Sequence, residues 1–542
     1  MASLRSLTAL IIEPHSGMRA SFHNMLNLCG ITKIDHAVSS GTAIRPLKNK
    51  AYDIILCEYD LGEGQDGQQL LEDLRHNKLI PLWTIFIIVT AERLYEKVVS
   101  AAELAPTDYV LKPFTADTLL ERIARALEKR TAFLPVYHLM EHGNLHEAIE
   151  LCRIGEGKYP KYAIDFRRLR AELHVTLGES KEAEKIYEEL LATKAVAWAR
   201  LGLAKTLFMQ ERFGEAEQLL AALVDESSRY MDAYDWLAKT HEAMDQPDQA
   251  KAVLADAVAI SPHAVRRLRK LGEVALETGD METAEKSFQR VVAKAKYSEF
   301  RDPEDHVRLV RTLVKKSDTQ QAATVIRDLE KSFAGVDKTP ACRALSSALL
   351  QAELGNTERA AEELTTAVAA CRDIHGISNE MKMELAKNCL DHHLDDGASE
   401  VMRDVMSNAA DDAALTKAIQ VFEQAGRGEL AQTVVKEARR QVIDLVSGGA
   451  EKARQGDFEG AVELMTAAAH KLPENPQVVF NAALAVLKYL ENVGWDARLA
   501  EQARGYIESA RRLEPSNPRL VPLADLYRGM LRKHGAVPTA ES

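Results

Sequence analysis

The chain has 542 residues and exceeds the roughly 250–300 residues that one hydrophobic core can organise, so we expect several domains or a repeat array. Apolar residues make up 46% of the composition, which excludes a disordered protein, and the net charge of −12 argues against a general nucleic-acid binder. The longest apolar run, residues 79–91, is too short for a transmembrane helix, and six cysteines without a C-x-x-C pair indicate reduced cytoplasmic thiols.

Residues 7–129 alternate between short β-rich runs and amphipathic segments, the latter including 16–28 and 66–75. The five strand candidates are 9–12, 34–37, 54–57, 84–89 and 109–111. This alternation predicts an α/β domain with a doubly wound, five-stranded parallel sheet. In such sheets the functional residues follow the carboxyl ends of the strands, and the side chains in those positions here are Glu13, Pro14, Glu58, Asp60, Thr90 and Lys112.

From about residue 133 the strand pattern stops and a helical repeat begins. Its marker is a Gly or polar turn followed by an alanine, as in "GNLHEA" (143–148), "GDMETA" (279–284) and "GDFEGA" (456–461). A small residue is needed where the two helices of a hairpin cross at close range. The sequence therefore predicts an all-α array of helical hairpins, with marker alanines at positions 148, 183, 216, 250, 284, 322, 360, 398, 431, 461 and 503.

A period near 34 residues with this pattern resembles the tetratricopeptide repeat over roughly residues 133–515. The pairs Leu237-Ala238 and Leu271-Gly272 fill the Leu–small position of that family's first helix. The resemblance implies stacked hairpins that share one continuous core and form a superhelical solenoid. We expect a first domain at 1–129, a solenoid of about eleven hairpins at 130–517, and a capping helix with a tail at 518–542.

Residues 7–129 resemble a bacterial response-regulator receiver domain. The resemblance rests on "LIIEPHSGMR" (10–19), "YDIILCEYDLGEGQDGQQLLEDLR" (52–75), "IIVTAE" (87–92) and "DYVLKPF" (108–114). It implies a flavodoxin-like fold in which an Asp after the third strand accepts a phosphoryl group from a histidine kinase, next to Mg²⁺. It also assigns Thr90 and Lys112 to phosphoryl contacts and Tyr109 to the switch aromatic.

Two departures from the receiver pattern fall in the phosphorylation pocket. Glu58 occupies the phosphoacceptor position, and Pro14 replaces the second acidic residue after Glu13. Asp60 stands where the family uses a main-chain carbonyl as metal ligand. Mg²⁺ needs closely placed oxygen ligands, so we expect weak or absent Mg²⁺ binding, with Glu13 and Glu58 as the remaining candidates.

Glutamate is one methylene longer than aspartate, and phosphoryl transfer depends on tight positioning. We therefore expect slow or absent phosphorylation at Glu58, and a Glu58–Lys112 pair that locks one conformation. Two alternatives remain open: the pair is a solvent-screened surface contact of little consequence, or Asp60 replaces Glu58 as acceptor.

The solenoid carries a net charge of −11 and the first domain −1, which does not suit nucleic-acid binding by the repeats. Counting back from the marker alanines places a set of aromatic, apolar and basic side chains on the concave surface of the array. This set fits a peptide or protein partner with acidic flanks, and its members are Trp198, Lys205, Met209, Lys239, Arg266 and Arg269. The alternative is that Trp198, with Leu201 and Phe208, belongs to the core.

The two halves follow each other with almost no linker. We expect a last receiver helix from 116 to about 129 and a separate first repeat helix near 133–142, rigidly coupled. The sequence thus favours a non-enzymatic signalling adaptor in the cytoplasm: a pseudo-receiver joined to a protein-binding scaffold, with no catalytic residue, cofactor, nucleic acid or membrane partner. Expected partners are a histidine kinase, another response regulator or a second copy of the chain. The alternatives are a phosphorylation-competent, Mg²⁺-dependent response regulator and, less favoured, an RNA-associated scaffold.

Overall fold

The computed structural model describes residues 4–62, 66–91, 106–141, 144–193, 196–228, 230–262, 264–295, 301–372, 374, 376–514 and 517–534. The chain divides into two compact units, one of Met1–Val175 with Glu179–Asp305 and one of Thr176–Gly178 with His306–Ser542. In the described parts of the chain, no helix is both long enough and apolar enough to span a membrane.

The first unit begins with a five-stranded parallel sheet in the order β2-β1-β3-β4-β5. Its strands are β1 (Thr8–Ile12), β2 (Lys33–Ala37), β3 (Ile54–Glu58), β4 (Ile85–Thr90) and β5 (Asp108–Leu111). The predicted sheet is confirmed, with boundaries shifted by one residue at most. Because β1, β3 and β4 are covered on both faces, they read as nearly continuous apolar runs.

Helices α1 (Ser16–Leu28), α2 (Ser40–Asn49) and α3 (Gly67–His76) cover the two faces of the sheet. On one face Phe22 of α1 packs against the inward side chains of the strands. On the other face Ile44 of α2 and Leu70 of α3 bury the second half of the core. This arrangement brings the carboxyl ends of all five strands to one edge.

Helix α4 (Ala116–Glu141) corrects the prediction of two separate helices at the junction. It is one continuous helix of 26 residues, and Pro135 lies inside it rather than at a break. Its first half buries Leu119 and Ile123 against the sheet. Its second half belongs to the first repeat, where Phe133 stacks on Phe166 with ring centroids 3.9 Å apart. A shared helix therefore joins the receiver to the first repeat.

The rest of the first unit consists of antiparallel helix pairs, with one short 3-10 helix (Pro160–Tyr162) between α5 and α6. The helices are α5 (Leu145–Lys158), α6 (Ala163–Thr176), α7 (Ser180–Thr193), α8 (Ala197–Met209), α9 (Phe213–Glu226), α10 (Met231–Ala243), α11 (Pro247–Ile260), α12 (Val265–Glu277) and α13 (Met281–Ala295). Every marker alanine of these pairs is completely buried, because it lies where the two helices cross. This confirms the close-packing argument made from the sequence.

The second unit is also made of helices. Its helices are α14 (Glu304–Lys315), α15 (Thr319–Ser332), α16 (Thr339–Glu353), α17 (Thr357–Cys371), α18 (Asn379–Asp391), α19 (Asp395–Ser407), α20 (Asp412–Gln424), α21 (Gly428–Arg454), α22 (Phe458–Lys471), α23 (Pro476–Asn492), α24 (Ala497–Leu513) and α25 (Leu520–Lys533). The marker alanines here are at most 1% exposed. Helix α25 packs on α23 and α24 as the expected capping helix, and the tail after 534 lies outside the described residues. Helix α21 is 27 residues long and serves two successive hairpins.

Candidate functional site

Four side chains predicted for the pocket lie at the carboxyl edge of the sheet. Glu58 and Thr90 are the last residues of β3 and β4, while Glu13 and Lys112 directly follow β1 and β5. Glu13 is completely buried, and Glu58 and Thr90 are 7% and 2% exposed. The strand register thus brings together residues that are up to 99 positions apart in the sequence.

Lys112 joins the two buried carboxylates into one cluster. Its Nζ atom forms an ion pair with Oε2 of Glu58 and lies 3.3 Å from Oε2 of Glu13. The ammonium group also lies 5.2 Å from the centroid of the Phe22 ring. We call Glu13, Glu58 and Lys112 the carboxylate–lysine cluster. The Glu58–Lys112 contact expected from the sequence is present, and burial distinguishes it from a solvent-screened surface pair.

The remaining carboxylate oxygens of the cluster accept hydrogen bonds from backbone amides. Oε1 of Glu58 accepts from the N–H of Tyr59 at 2.9 Å, and Oε1 of Glu13 accepts from the N–H of His15 at 2.9 Å. Burial raises the pKa of Glu58, Lys112 opposes that shift, and the nearby Glu13 carboxylate adds to it. Each oxygen of the two carboxylates therefore already has a donor within the protein.

Other oxygen groups at this edge of the sheet also accept hydrogen bonds within the protein. Asp60 is exposed, and its carboxylate accepts the N–H of Gly62 at 2.9 Å within the loop. Pro14 supplies no carboxylate, and its carbonyl accepts from Arg19 at 3.2 Å. Across the described residues, no group of three or more metal-ligating side chains comes together. A cation would have to displace Lys112 from the carboxylates.

Comparisons with known proteins identify the family of the first domain. A family model for the response regulator receiver domain matches residues 9–124, and one for the tetratricopeptide repeat matches 168–230 and 237–299. Chemotaxis protein CheY of Pseudomonas aeruginosa is 30% identical over 120 residues, which are 22% of this chain and 95% of that protein. The chain belongs to the response regulator receiver family.

Further similar proteins include another chemotaxis protein and two repeat proteins. Chemotaxis protein CheY-3 of Vibrio cholerae is 28% identical over 125 residues, covering 23% of this chain and 95% of that protein. A tetratricopeptide repeat protein from Parabacteroides merdae is 14% identical with a TM-score of 0.31, over 47% of this chain and 96% of its own. A repeat protein from Cytophaga hutchinsonii is 18% identical with a TM-score of 0.36, covering 45% of this chain and 96% of that protein's chain. The chain is thus a response-regulator-like signalling protein with a repeat scaffold for protein interactions.

The receiver's Tyr109 lies on β5 and contacts α3. Its hydroxyl donates to Oε1 of Gln68 at 3.1 Å, and burial raises the pKa of the phenol. Sequence reasoning named Tyr109 but not Gln68. Gln68 is the second residue of α3, the helix that follows the loop after position 58. Because β5 and α3 border the same edge of the sheet, the sequence could have suggested Gln68 as a partner of Tyr109.

Gly67 holds the first turn of α3 against the end of β3. A Cβ atom on Gly67 would lie 2.5 Å from the carbonyl oxygen of Glu58 and 3.1 Å from Sγ of Cys57. We expect Gly67→Ala to lower the free energy of unfolding by about 1–3 kcal/mol, because the helix must move away from the pocket. Gly17→Ala in α1, where no atom lies within 4 Å of the new Cβ, is the control. Urea unfolding of both variants checks this, and equal midpoints would contradict it.

Two basic candidates of the repeat half, Lys205 and Lys239, lie over aromatic rings. Nζ of Lys205 lies 5.2 Å from the centroid of Trp236, and Nζ of Lys239 lies 4.4 Å from the same ring and 4.9 Å from Phe208. Burial lowers the pKa of Lys205 to about 8. These contacts join α8 to α10, which are the first helices of two successive hairpins.

The other residues predicted for the concave surface make different contacts. Arg269 forms a two-bond ion pair with the buried Asp305, at 2.6 and 2.8 Å. Trp198 is partly buried beneath the guanidinium of Arg168, at 5.2 Å from its ring centroid. Met209 and Arg266 are exposed. The structure thus brings Lys205 and Lys239 together but not the whole predicted set.

Sequence reasoning missed Arg267, which lies beside the candidate Arg266. Its guanidinium forms two hydrogen bonds to the carboxylate of Asp235, at 2.6 and 2.7 Å. The two residues are 32 positions apart, close to one repeat length, and that spacing was the signal available in the sequence. We call Lys205, Asp232, Asp235, Lys239 and Arg267, on α8, α10 and α12, the repeat surface.

Proposed function

We propose that this chain is a two-component signalling adaptor whose receiver is not phosphorylated at position 58 and whose repeats bind a protein partner. The observation that carries the proposal is the carboxylate–lysine cluster. Lys112 is already shared between Glu58 and Glu13, so the cation assigned to a phosphoryl group has two internal anions instead. In this view Glu58 replaces the phosphorylated residue with a permanent charge.

A permanent pair would keep the pocket in a single conformation. The Glu58 carboxylate is fixed by Lys112 on one oxygen and by the amide of Tyr59 on the other. Rearranging it would leave buried charges without partners, which costs several kcal/mol. The receiver would then serve as a docking module for a histidine kinase, another response regulator or a second copy of the chain, acting in the cytoplasm without enzymatic activity of its own.

The test is phosphorylation of the full chain by acetyl phosphate with Mg²⁺, followed by intact-mass measurement. We expect no mass gain for the native chain and one phosphoryl group on Glu58→Asp, because aspartate restores the shorter acceptor. Since misplacement of about 1 Å can reduce a rate by about 100-fold, the native rate should lie at least that far below the rate of the variant.

Glu58→Gln is the matched control, because it retains the length of the side chain but has no carboxylate to accept phosphate. A phosphorylated native chain with the group mapped to Glu58 would contradict the proposal. That result would favour the alternative, a phosphorylation-competent response regulator that switches repeat-mediated interactions. Thr90 and Lys112 support this alternative, since Thr90 ends the strand next to β3 and Lys112 pairs with Glu58.

A further inference from the structure

Two histidines of the receiver meet between helix α1 and the edge strand β2. His23 lies in the middle of α1 and is partly buried, while His36 lies on β2 and is exposed. Nδ1 of His23 is 3.1 Å from Nε2 of His36, whereas the two ring centroids are 5.1 Å apart, with 24° between the ring planes. Because the nitrogens are closer together than the centroids, each ring turns one nitrogen toward the other.

The fold holds the backbones of both histidines in place. His36 pairs in register with Ile11 of β1, which is buried on the α1 side of the sheet, so the two side chains share that face. On α1, Phe22 is completely buried and stacks on Phe114 with ring centroids 5.8 Å apart. The neighbouring His23 is therefore carried by a packed helix, and a site built on a packed helix and a paired strand is preorganised.

The separation of the two nitrogens suits a shared metal ion. Zn²⁺ binds imidazole nitrogen at about 2.0–2.1 Å, so two nitrogens on one ion are about 2.9–3.4 Å apart for angles between a right angle and the tetrahedral value. The 3.1 Å between Nδ1 of His23 and Nε2 of His36 lies inside that range. Chelation would therefore need little movement of either ring, and the ion would replace the hydrogen bond between them.

The neighbouring side chains indicate which ions the pair suits. Asp35 points to the opposite face of the sheet, where its carboxylate accepts hydrogen bonds from Lys50 and Tyr52, each at 2.6 Å. Within the described residues no third ligating side chain joins the two histidines, so water would complete the coordination. Two imidazole ligands favour Zn²⁺, Ni²⁺ or Cu²⁺ over Mg²⁺, which prefers oxygen.

The cationic side chain of Arg19, also on α1, is bonded to main-chain atoms. Its guanidinium donates to the carbonyl oxygens of Glu13 and Pro14, at 2.7 and 3.2 Å. Burial lowers the pKa of His36, the charges of the neighbouring imidazole and of Arg19 add to that shift, and Asp35 opposes it. The neutral imidazole, which is the form that binds metals, therefore predominates at pH 7.5.

We propose that His23 and His36 chelate a divalent transition-metal ion such as Zn²⁺ and so join α1 to the edge strand β2. Neither side chain belongs to the carboxylate–lysine cluster, and the site is independent of phosphorylation at position 58. An ion that binds the folded receiver but not the unfolded chain stabilises the fold. The inference therefore goes beyond the adaptor function and assigns the receiver a second, metal-dependent contact between two of its elements.

The experiment is a calorimetric titration of the full chain with zinc chloride at pH 7.5. We expect His23→Asn and His36→Asn each to weaken zinc binding at this pair by about tenfold or more, because the second ligand of a chelate binds intramolecularly. The double variant should weaken it no further than either single change, since the two ligands act as a unit. Loss of affinity in only one of the two variants would overturn the proposal.

Two controls accompany the titration. His470→Asn changes an exposed histidine on α22 and should leave zinc binding unaltered. Mg²⁺ at the same concentration should give no heat that depends on His23 or His36, because it prefers oxygen ligands. Absence of zinc binding, or zinc binding that neither His23→Asn nor His36→Asn weakens, would overturn the proposal.

Amide hydrogen exchange tests whether the ion joins the two elements. With Zn²⁺ at about 100 times its Kd, exchange in both α1 and β2 of the native chain should slow by up to about 100-fold, which is the limit that linkage sets. In His36→Asn the same zinc concentration should slow neither element. Because the main comparison uses the native chain with and without zinc, it holds even if a variant is destabilised. Unchanged exchange in α1 and β2 of the native chain would overturn the proposal.

Discussion

Replacing Phe133 with alanine is expected to lower the free energy of unfolding by about 3–5 kcal/mol, because a buried aromatic ring leaves a large cavity. The side chain is 2% exposed and stacks on Phe166 at 3.9 Å. Phe133 lies in the repeat half of α4, whose receiver half is anchored by Leu119 and Ile123. We therefore expect the first unfolding transition, measured by circular dichroism, to occur at a lower urea concentration than in the native chain.

Ile164→Ala is the matched control for this change. Ile164 is on α6, two residues before Phe166, and is 56% exposed. Its truncation should alter stability by no more than about 0.5 kcal/mol. If the two variants unfold at the same urea concentration, the shared helix does not join the receiver to the repeats through this aromatic stack.

Replacing Lys112 with methionine is expected to destabilise the receiver by about 3–5 kcal/mol at pH 8, since it leaves two buried carboxylates without a cation. Glu13 is completely buried and Glu58 nearly so. Burial already raises the pKa of Glu58, and Lys112 opposes that rise, so its removal raises the pKa further. A carboxyl with a higher pKa in the folded chain gains stability as it is protonated, so the loss should shrink as pH falls from 8 to 5.

The double variant Lys112→Met with Glu58→Gln tests the cause. It removes one of the two uncompensated charges, and we expect it to recover a large part of the stability at pH 8. Urea midpoints at pH 5 and pH 8 for the single and double variants give the comparison. A loss that is the same at both pH values would mean that Lys112 stabilises through packing on Phe22 rather than through its charge.

Much of the architecture followed from local chemistry in the sequence. The marker alanines are buried because each sits at the crossing of two helices, and that requirement acts within one hairpin. Glu13, Glu58, Thr90 and Lys112 converge because parallel strands end at the same edge. In each case the residue's position within its own helix or strand indicates where it lies in the fold.

The error at the receiver–repeat junction has a physical origin. Two helices were expected there, near 116–129 and 133–142, yet α4 continues through Pro135. Gly448 and Gly449 likewise lie inside the long helix α21. Gly449 instead allows close approach to α22, since a Cβ there would lie 2.6 Å from Cγ of Met465. Packing against a neighbouring helix outweighs the weak local preference at each site.

The electrostatic interaction between Glu72 and Arg267 could not be predicted from either segment alone. Glu72 lies in an amphipathic helix whose polar face would be in solvent in an isolated receiver. Arg267 stands among four basic residues between 266 and 270, and nothing local distinguishes it. The two residues come within electrostatic reach only through packing between segments far apart in sequence.

Helix α21 has a consequence for how the array comes apart. Solenoids usually open one hairpin at a time, because each hairpin contacts only its neighbours. Here Ala431 packs in one hairpin and Val442 in the next, on the same uninterrupted helix. Fraying that starts at the C-terminal cap would therefore meet a block of two hairpins that must melt in a single step, which makes this stretch a natural barrier to stepwise unravelling.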